Sequence, residues 1–330
     1  MDFYTVLEAA AQRGETAIGY RLMKHSDDKD RGYGVGKLKI RRRELLAGAI
    51  AAAFAAGVRA AERPDKALKR IGERVGGRLG VHALDSQSGK RWGIDEKSRY
   101  AMASTFKLPL AAALLWQVDR KAFTLDHTLT IGKKDLLPNS PAVEAKLGAG
   151  ADAMTIRDLC AAAVTQSDNA AANVLLNGIG GPSVLTGFFR TLGDETTRLD
   201  RNEPALNTNL PGDQRDSTTP RAMVDSLLKI FTQDVLSIPS RALLIDWMIA
   251  SRTGLDRVRA GLPRAWNSGD KTGTGENGAF NDLVVAFPPN RRPVFVAVYM
   301  SESKLGAKEL AVAHAEIGTL IAKVFAETKT

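Results

Sequence analysis

The chain has one cysteine in 330 residues, Cys160, so no intramolecular disulfide can form. Its setting, Leu159-Cys-Ala-Ala-Ala-Val164, reads as a small buried hydrophobe. Histidine is scarce as well. His25, His82, His127 and His314 lie far apart and none belongs to a close-ligand pattern such as H-E-x-x-H, which argues against a metal site. Aromatic residues make up 6% of the chain, and the formal net charge of +9 is spread out instead of gathered into basic runs. A nucleic-acid surface needs a denser stripe of cations with aromatics between them, so no nucleic-acid partner is expected. No apolar run is long enough for a confident membrane span, and no internal repeat is present. What remains is 44% hydrophobic, enough to bury a sizeable core as one large domain or two interleaved lobes.

Residues 1–60 hold eleven Lys/Arg against seven Asp/Glu, which leaves an excess of five for the rest. Residues 1–36 are polar and lack a period. They precede the basic stretch Lys37-Leu-Lys-Ile-Arg-Arg-Arg43, an apolar segment Ala47 to Val58, and small residues at Val58, Ala60 and Ala61. That is the anatomy of an export signal, and Arg42-Arg43-Glu44-Leu45-Leu46 resembles the twin-arginine type, whose pathway carries folded proteins. The competing reading is an amphipathic or membrane-anchoring helix. The expectation is an N-terminal extension and signal over 1–60, cleavage near residue 60, and export to the periplasm or medium with no stable membrane anchor. Residues 1–36 then read as an overextended start, with Met23 one candidate for the true one. An exported protein this poor in cysteine needs no oxidative folding.

From Arg63 to Val75 apolar residues at 67, 68, 71 and 75 form a helical stripe, stopped by Gly76-Gly77. Leu79 to Leu84, the turn Asp85-Ser-Gln-Ser-Gly89, and Lys90 to Ile94 read as a hairpin. Phe106 to Trp116 is almost wholly apolar, which predicts a helix buried on every side, with Pro109 tolerated near its start. Thr155 to Ala163, Ala170 to Leu176 and Ser183 to Leu192 are further helical segments. Leu199 to Thr219 has no period, so it predicts a long loop that is either functional or disordered. Thr219-Pro220 is a cap and first turn for a helix through Phe231. Asn267 to Gly275 forms or approaches a strand, Asp282 to Phe287 and Val294 to Met300 flank a turn, and Leu310 to Ala326 is an amphipathic helix. The expected fold class is therefore α/β (α+β): one antiparallel sheet built from both chain ends with flanking helices, plus an inserted all-helical lobe. A single catalytic domain, 61–330, would comprise an α/β lobe (61–103 and 256–330) and the helical lobe (104–255), with the site at their seam.

One stretch carries chemistry. In Ser104-Thr-Phe-Lys107 a hydroxyl and an amine three residues apart share a helical face, pairing a nucleophile with a base. Serine is weakly nucleophilic until a neighbour takes its proton, and lysine can do so only where its surroundings favour the neutral amine. Free N–H groups at a helix start can polarise a carbonyl attacked there. Ser167-Asp168-Asn169 follows about sixty residues later, and Lys271-Thr272-Gly273 about a hundred after that.

This trio, S-x-x-K, S-D-N and K-T-G in order, resembles the penicillin-binding protein and serine β-lactamase superfamily. Glu203-Pro-Ala-Leu206-Asn207 further resembles the E-x-x-L-N motif of class A β-lactamases, which the transpeptidases lack. The resemblance runs from about residue 65 to the end. It implies hydrolysis of β-lactams through an acyl-serine intermediate, without cofactor or metal, by a protein expected to be a monomer. Ser104 would attack the lactam carbonyl, with its own N–H and that of Thr274 as oxyanion hole. Lys107 and Glu203, the latter through water, would share its deprotonation. Ser167, helped by the charge of Lys271, would protonate the departing nitrogen. Asn169 would bind the acylamide and steady Lys107. Glu203 would activate the deacylating water, held by Asn207. Arg201 and Asp216 match the ion pair that closes the loop. Lys271, Thr272, Gly273 and Thr274 would meet the substrate carboxylate, with Arg257 supplying a further cation.

Asn139 stands where the family usually puts an aromatic residue at the entrance, so stacking on the substrate is lost there. With only Cys160, and Ala103 before the nucleophile, the chain cannot make the disulfide of some carbapenem-hydrolysing relatives, which argues against carbapenems. Two rivals share Ser104 and Lys107: a D,D-peptidase acting on peptidoglycan stems, and a non-turnover β-lactam sensor. Neither needs the Glu203-to-Asn207 apparatus.

Overall fold

The computed structural model describes residues 62–326; the expected signal segment lies outside the described residues. Helix α1 (Pro64–Val75) starts with proline in its first turn and buries Ala67, Leu68, Ile71 and Val75 on one stripe. Gly76 and Gly77 end it at positive φ, and a Cβ on Gly77 would lie 2.5 Å from the Ser301 carbonyl, so the turn requires glycine. Strands β1 (Arg78–Asp85), β2 (Arg91–Ile94) and β3 (Tyr100–Ala101) follow, then a 3-10 turn over Ala103–Phe106 that runs into α2 (Lys107–Asp119). The middle holds β4 (Thr128–Thr130), α3 (Pro141–Gly148), β5 (Ala153–Thr155), α4 (Ile156–Thr165), α5 (Asn169–Ile179), α6 (Pro182–Thr191), β6 (Ser217–Thr218), α7 (Pro220–Thr232), α8 (Ile238–Ile249) and α9 (Val258–Gly261). The chain returns to the sheet through β7 (Asn267–Thr274), β8 (Phe280–Phe287) and β9 (Val294–Ser301), and closes with α10 (Ala307–Ala326).

The five-stranded antiparallel sheet has the order β2-β1-β9-β8-β7, so strands from the two ends of the chain meet at the β1–β9 ladder. Its central strands read as nearly continuous apolar runs because both faces are covered. On one face Val81, Val284, Val296 and Val298 pack with Leu68 and Ile71 of α1 and Ile317, Ile321 and Phe325 of α10. On the other, Phe295 stacks on Phe231 of α7 with ring centroids 6.1 Å apart. Helix α2 lies at the centre of the helical segment, against α4, α5, α6 and α8, and every residue from Lys107 to Leu115 is buried.

The expected all-helical lobe is amended in two respects. Residues 128–130 and 153–155 pair as a short ladder, too brief for alternation to be read in the sequence. Helix α7, inside the expected lobe, instead covers the sheet: a Cβ on Gly80 of β1 would meet the Pro220 ring at 2.9 Å.

The aperiodic stretch 199–219 is tied shut at its ends. Arg201 Nε donates to Asp216 Oδ2 at 2.5 Å, while Asp216 Oδ1 accepts the backbone N–H groups of Asp200 (2.8 Å) and Arg201 (2.9 Å). The Asp216 side chain is fully buried, so its charge is compensated almost wholly by these donors. Asp216→Ala leaves all three donors without their acceptor and is expected to cost about 3 kcal/mol or more, read from urea unfolding, with faster amide exchange over 200–216. An unchanged midpoint would show that other contacts close the loop. Ile317→Ala, in the core between α10 and the sheet, is expected to cost about 2–5 kcal/mol by the same assay.

Candidate active site

Ser104 lies in the 3-10 turn just before α2, and Lys107 is the first residue of that helix. The turn is braced from beneath: Asn281 Nδ2 donates to the carbonyls of Ala101 (2.9 Å) and Met102 (3.1 Å), and Thr105 Oγ1 donates to Met102 O at 2.8 Å. Ala103, just before the nucleophile, is held at φ 43°, a conformation that costs a non-glycine residue energy and needs such bracing.

The Lys107 ammonium is fully buried and surrounded by oxygen. Its Nζ is 2.9 Å from Ser104 Oγ, 2.9 Å from Ser167 O, 2.5 Å from Asn169 Oδ1 and 3.0 Å from Glu203 Oε1. Burial pulls the Lys107 amine below the ordinary lysine range, and the Glu203 carboxylate pushes it back up. Lys271, on β7, donates to Ser167 Oγ at 2.9 Å and to Thr272 O at 2.7 Å. Burial, then the nearby charge of Lys107, drives it well below the usual lysine value.

Ser167 has φ 58°, which swings its carbonyl onto Lys107 while its hydroxyl meets Lys271. Asp168 caps α5 through Ala171 N (2.8 Å), and its other oxygen accepts from Ala142 N (2.8 Å) and Val143 N (3.2 Å). Asn169 Nδ2 donates to Pro138 O at 2.8 Å, which leaves its oxygen to face Lys107.

Glu203 reaches the nucleophile from the loop. Ser104 Oγ donates to its Oε1 at 3.2 Å. Asn207 Nδ2 donates to Oε2 at 2.5 Å. The backbone of Glu203 is gripped on both sides by Asn173, one helical turn beyond Asn169: Glu203 N donates to Asn173 Oδ1 and Asn173 Nδ2 to Glu203 O, each at 2.9 Å.

β7 is the edge strand nearest Ser104. A Cβ on Gly273 would come 2.7 Å from Met102 O and 3.1 Å from Thr105 N, so only glycine lets the strand approach the nucleophile's turn. Thr272 Oγ1 donates to Thr253 Oγ1 at 2.7 Å. Arg257 is buried, donates to Thr274 Oγ1 (2.8 Å), Asn281 O (2.7 Å) and Gly273 O (3.2 Å), and lies 3.6 Å from the Phe280 ring centre. It braces the strand end from inside.

All eleven residues expected at the site thus fall on the elements around Ser104. Sequence reasoning missed Asn173 and Asn281. Each was visible as an amide in an apolar context, in Ala170-Ala-Ala-Asn173-Val and at the head of the strand Phe280-Asn-Asp-Leu-Val, but nothing local says what it binds. No group of three or more metal-ligating side chains occurs among the described residues. His314 is buried beside Phe280 and pushed down to about 3 by burial, and Cys160 is buried with its thiol pushed up.

A profile described as "Beta-lactamase enzyme family" matches residues 63–325. The chain is 44% identical over 231 residues to the carbapenem-hydrolyzing β-lactamase KPC of Klebsiella oxytoca, covering 70% of this chain and 78% of that protein. It is 42% identical over 253 residues to a β-lactamase of Amycolatopsis lactamdurans, covering 76% and 82%. The solved structure of the last common ancestor of Gram-negative bacteria class A β-lactamase (GNCA4) superposes with a TM-score of 0.77 at 50% identity, covering 79% of this chain and 99% of that one. With four motifs gathered around one serine and both sequence and structural relatives of a single kind, the chain belongs to the class A serine β-lactamases.

Proposed function

We propose that this β-lactam hydrolase works through an acyl-serine at Ser104 that Glu203 clears with water. The observation that carries the reading is the position of Glu203, with one carboxylate oxygen 3.2 Å from Ser104 Oγ and the other 2.5 Å from Asn207 Nδ2. A base held on the nucleophile serves hydrolysis of the ester, which a trapped sensor or a transpeptidase does not need.

In acylation Ser104 Oγ attacks the lactam carbonyl carbon, and its proton goes to Lys107 or Glu203, both within hydrogen-bond reach. The carbonyl oxygen, now negative, takes the N–H groups of Ser104 and Thr274. When the C–N bond breaks, Ser167 gives its proton to the nitrogen and is recharged from Lys107 or Lys271. The short Lys271-to-Ser167 contact of 2.9 Å supports that path. In deacylation Glu203 takes a proton from water as its oxygen attacks the ester carbon, and Ser104 leaves with a proton returned to it. Asn207 Oδ1, buried without a partner among the described residues, is an acceptor suited to holding that water. Asn169 binds the substrate's amide. Lys271, Thr272, Gly273, Thr274 and Arg257 form the carboxylate end, with Arg257 acting through the Thr274 hydroxyl it holds.

The catalytic domain spans 61–330 and acts as a monomer. The basic and apolar run through Val58 supports export by the twin-arginine route, with cleavage near residue 60 and a periplasmic or secreted product. No helix among the described residues is long and apolar enough to cross a membrane.

The test is a time course of residues 61–330 with a chromogenic cephalosporin, followed by intact-protein mass. Turnover far beyond one equivalent with little adduct left is expected; a single burst with a persistent adduct would overturn hydrolysis in favour of a sensor or peptidase. Ser104→Ala is expected to abolish both turnover and labelling, and retained labelling would point to another nucleophile. Glu203→Ala should acylate and then stall, with steady turnover down by about 100-fold or more; unchanged turnover would remove Glu203 from deacylation.

A further inference from the structure

Lys107 has more acceptors around it than hydrogens to give them. Four oxygens lie within reach of Nζ, those of Ser104, Ser167, Asn169 and Glu203. An ammonium has three N–H groups and a neutral amine only two. For Lys107 to take the Ser104 proton it must turn a lone pair on that hydroxyl, which leaves two N–H groups for three oxygens. With the Ser104 proton turned to Lys107, Glu203 Oε1 loses the donor it has in Ser104 Oγ, and one of the three keeps a second donor. Asn139 Nδ2 donates to Ser167 O at 2.9 Å, the same carbonyl that Lys107 reaches at 2.9 Å.

We propose that Asn139 is a positioning residue for Lys107: its side-chain amide holds the Ser167 carbonyl, so the lysine can serve Asn169 and Glu203 while its lone pair faces Ser104. The accounting then closes, with two N–H groups for two oxygens. This rests on the role proposed above for Lys107 as proton acceptor.

Asn139 is built to deliver that amide. Its φ of 61° is one that asparagine tolerates better than most side chains. Its carbonyl accepts Asn169 N at 2.9 Å, and Ser140 Oγ beside it accepts Ala170 N at 3.0 Å. The residue is therefore pinned to both flanks of Ser167-Asp168-Asn169, with its amide turned inward and its outer side exposed. An aromatic side chain here could line the entrance but could not bond the carbonyl. The charged groups facing Lys107 are Glu203 from the loop, Asp168 from the head of α5 and Lys271 from β7. Asn139 is neutral and acts by supplying a donor, so its removal changes the proton balance of Lys107 without removing a charge.

The sign follows. Without the amide, Ser167 O depends on a lysine N–H, the protonated lysine is favoured, and acylation needs a higher pH. The experiment measures kcat/KM for a chromogenic cephalosporin from about pH 5 to pH 9 in wild type, Asn139→Gly, Asn139→Asp and Lys107→Ala. Glycine keeps the backbone conformation and the carbonyl bond to Asn169. Aspartate keeps the shape but offers no donor. The acid limb of Asn139→Gly should move to higher pH, lowering kcat/KM about three- to tenfold on that limb, the worth of one hydrogen bond, while the alkaline plateau stays near wild type. Asn139→Asp should move it further. A uniform loss at every pH, with a lowered Tm, would make Asn139 merely structural and overturn the proposal, as would an unshifted limb in both variants. Lys107→Ala separates the two readings. If it acylates as fast as wild type, the role of Lys107 itself fails; if it is slow while the Asn139 variants keep the wild-type limb, only this inference fails.

Discussion

A lysine charge taken wholly out of water is the constraint on which the site depends. Burying an ammonium alone is prohibitive, so Lys107 requires several oxygens around it, and they come from three different parts of the chain. Ser104 supplies one from the preceding turn, Ser167 and Asn169 two from the head of α5, and Glu203 one from the long loop. The compensation of one charge thus brings together three of the four motifs. It also leaves the lysine poised, because burial favours the neutral amine and the carboxylate favours the ammonium.

The fourth motif arrives with the sheet. β7 can lie against the nucleophile's turn because Gly273 has no Cβ to strike Met102. Lys271 then projects from the sheet to Ser167, across the seam between the two parts of the fold. An edge strand suits this place, since its outer side has no partner strand among the described residues. Asn281 and Arg257 hold the arrangement from behind, the first through the carbonyls of 101 and 102, the second through those of 273 and 281. Neither needs to touch substrate to matter for geometry.

The loop bearing Glu203 shows how an aperiodic segment becomes rigid. It has little secondary structure to satisfy its backbone, so side chains do the work: Asp216 at one end, Asn173 on the backbone of Glu203 itself, and Asn277 and Asn209 bonding each other's backbones farther along. Such a loop can position a carboxylate to within a hydrogen bond of a serine 99 residues away.

Much of this was legible in the sequence, and for a definite reason. Helix stripes, caps and hairpins rest on contacts within one or two turns, so α1, α2, the Thr219 cap of α7 and the β8–β9 hairpin could be read from local pattern. The four motifs were legible because their chemistry demands particular residue types in a particular order. The short β4–β5 ladder and the placing of α7 on the sheet were not, because they depend on which surfaces meet after collapse. The same holds for Asn139, Asn173 and Asn281. An amide in a sequence has two donors and an acceptor and no preference among partners, so only the packing that brings position 139 to 167, 173 to 203, and 281 to 101 and 102 decides what each one holds.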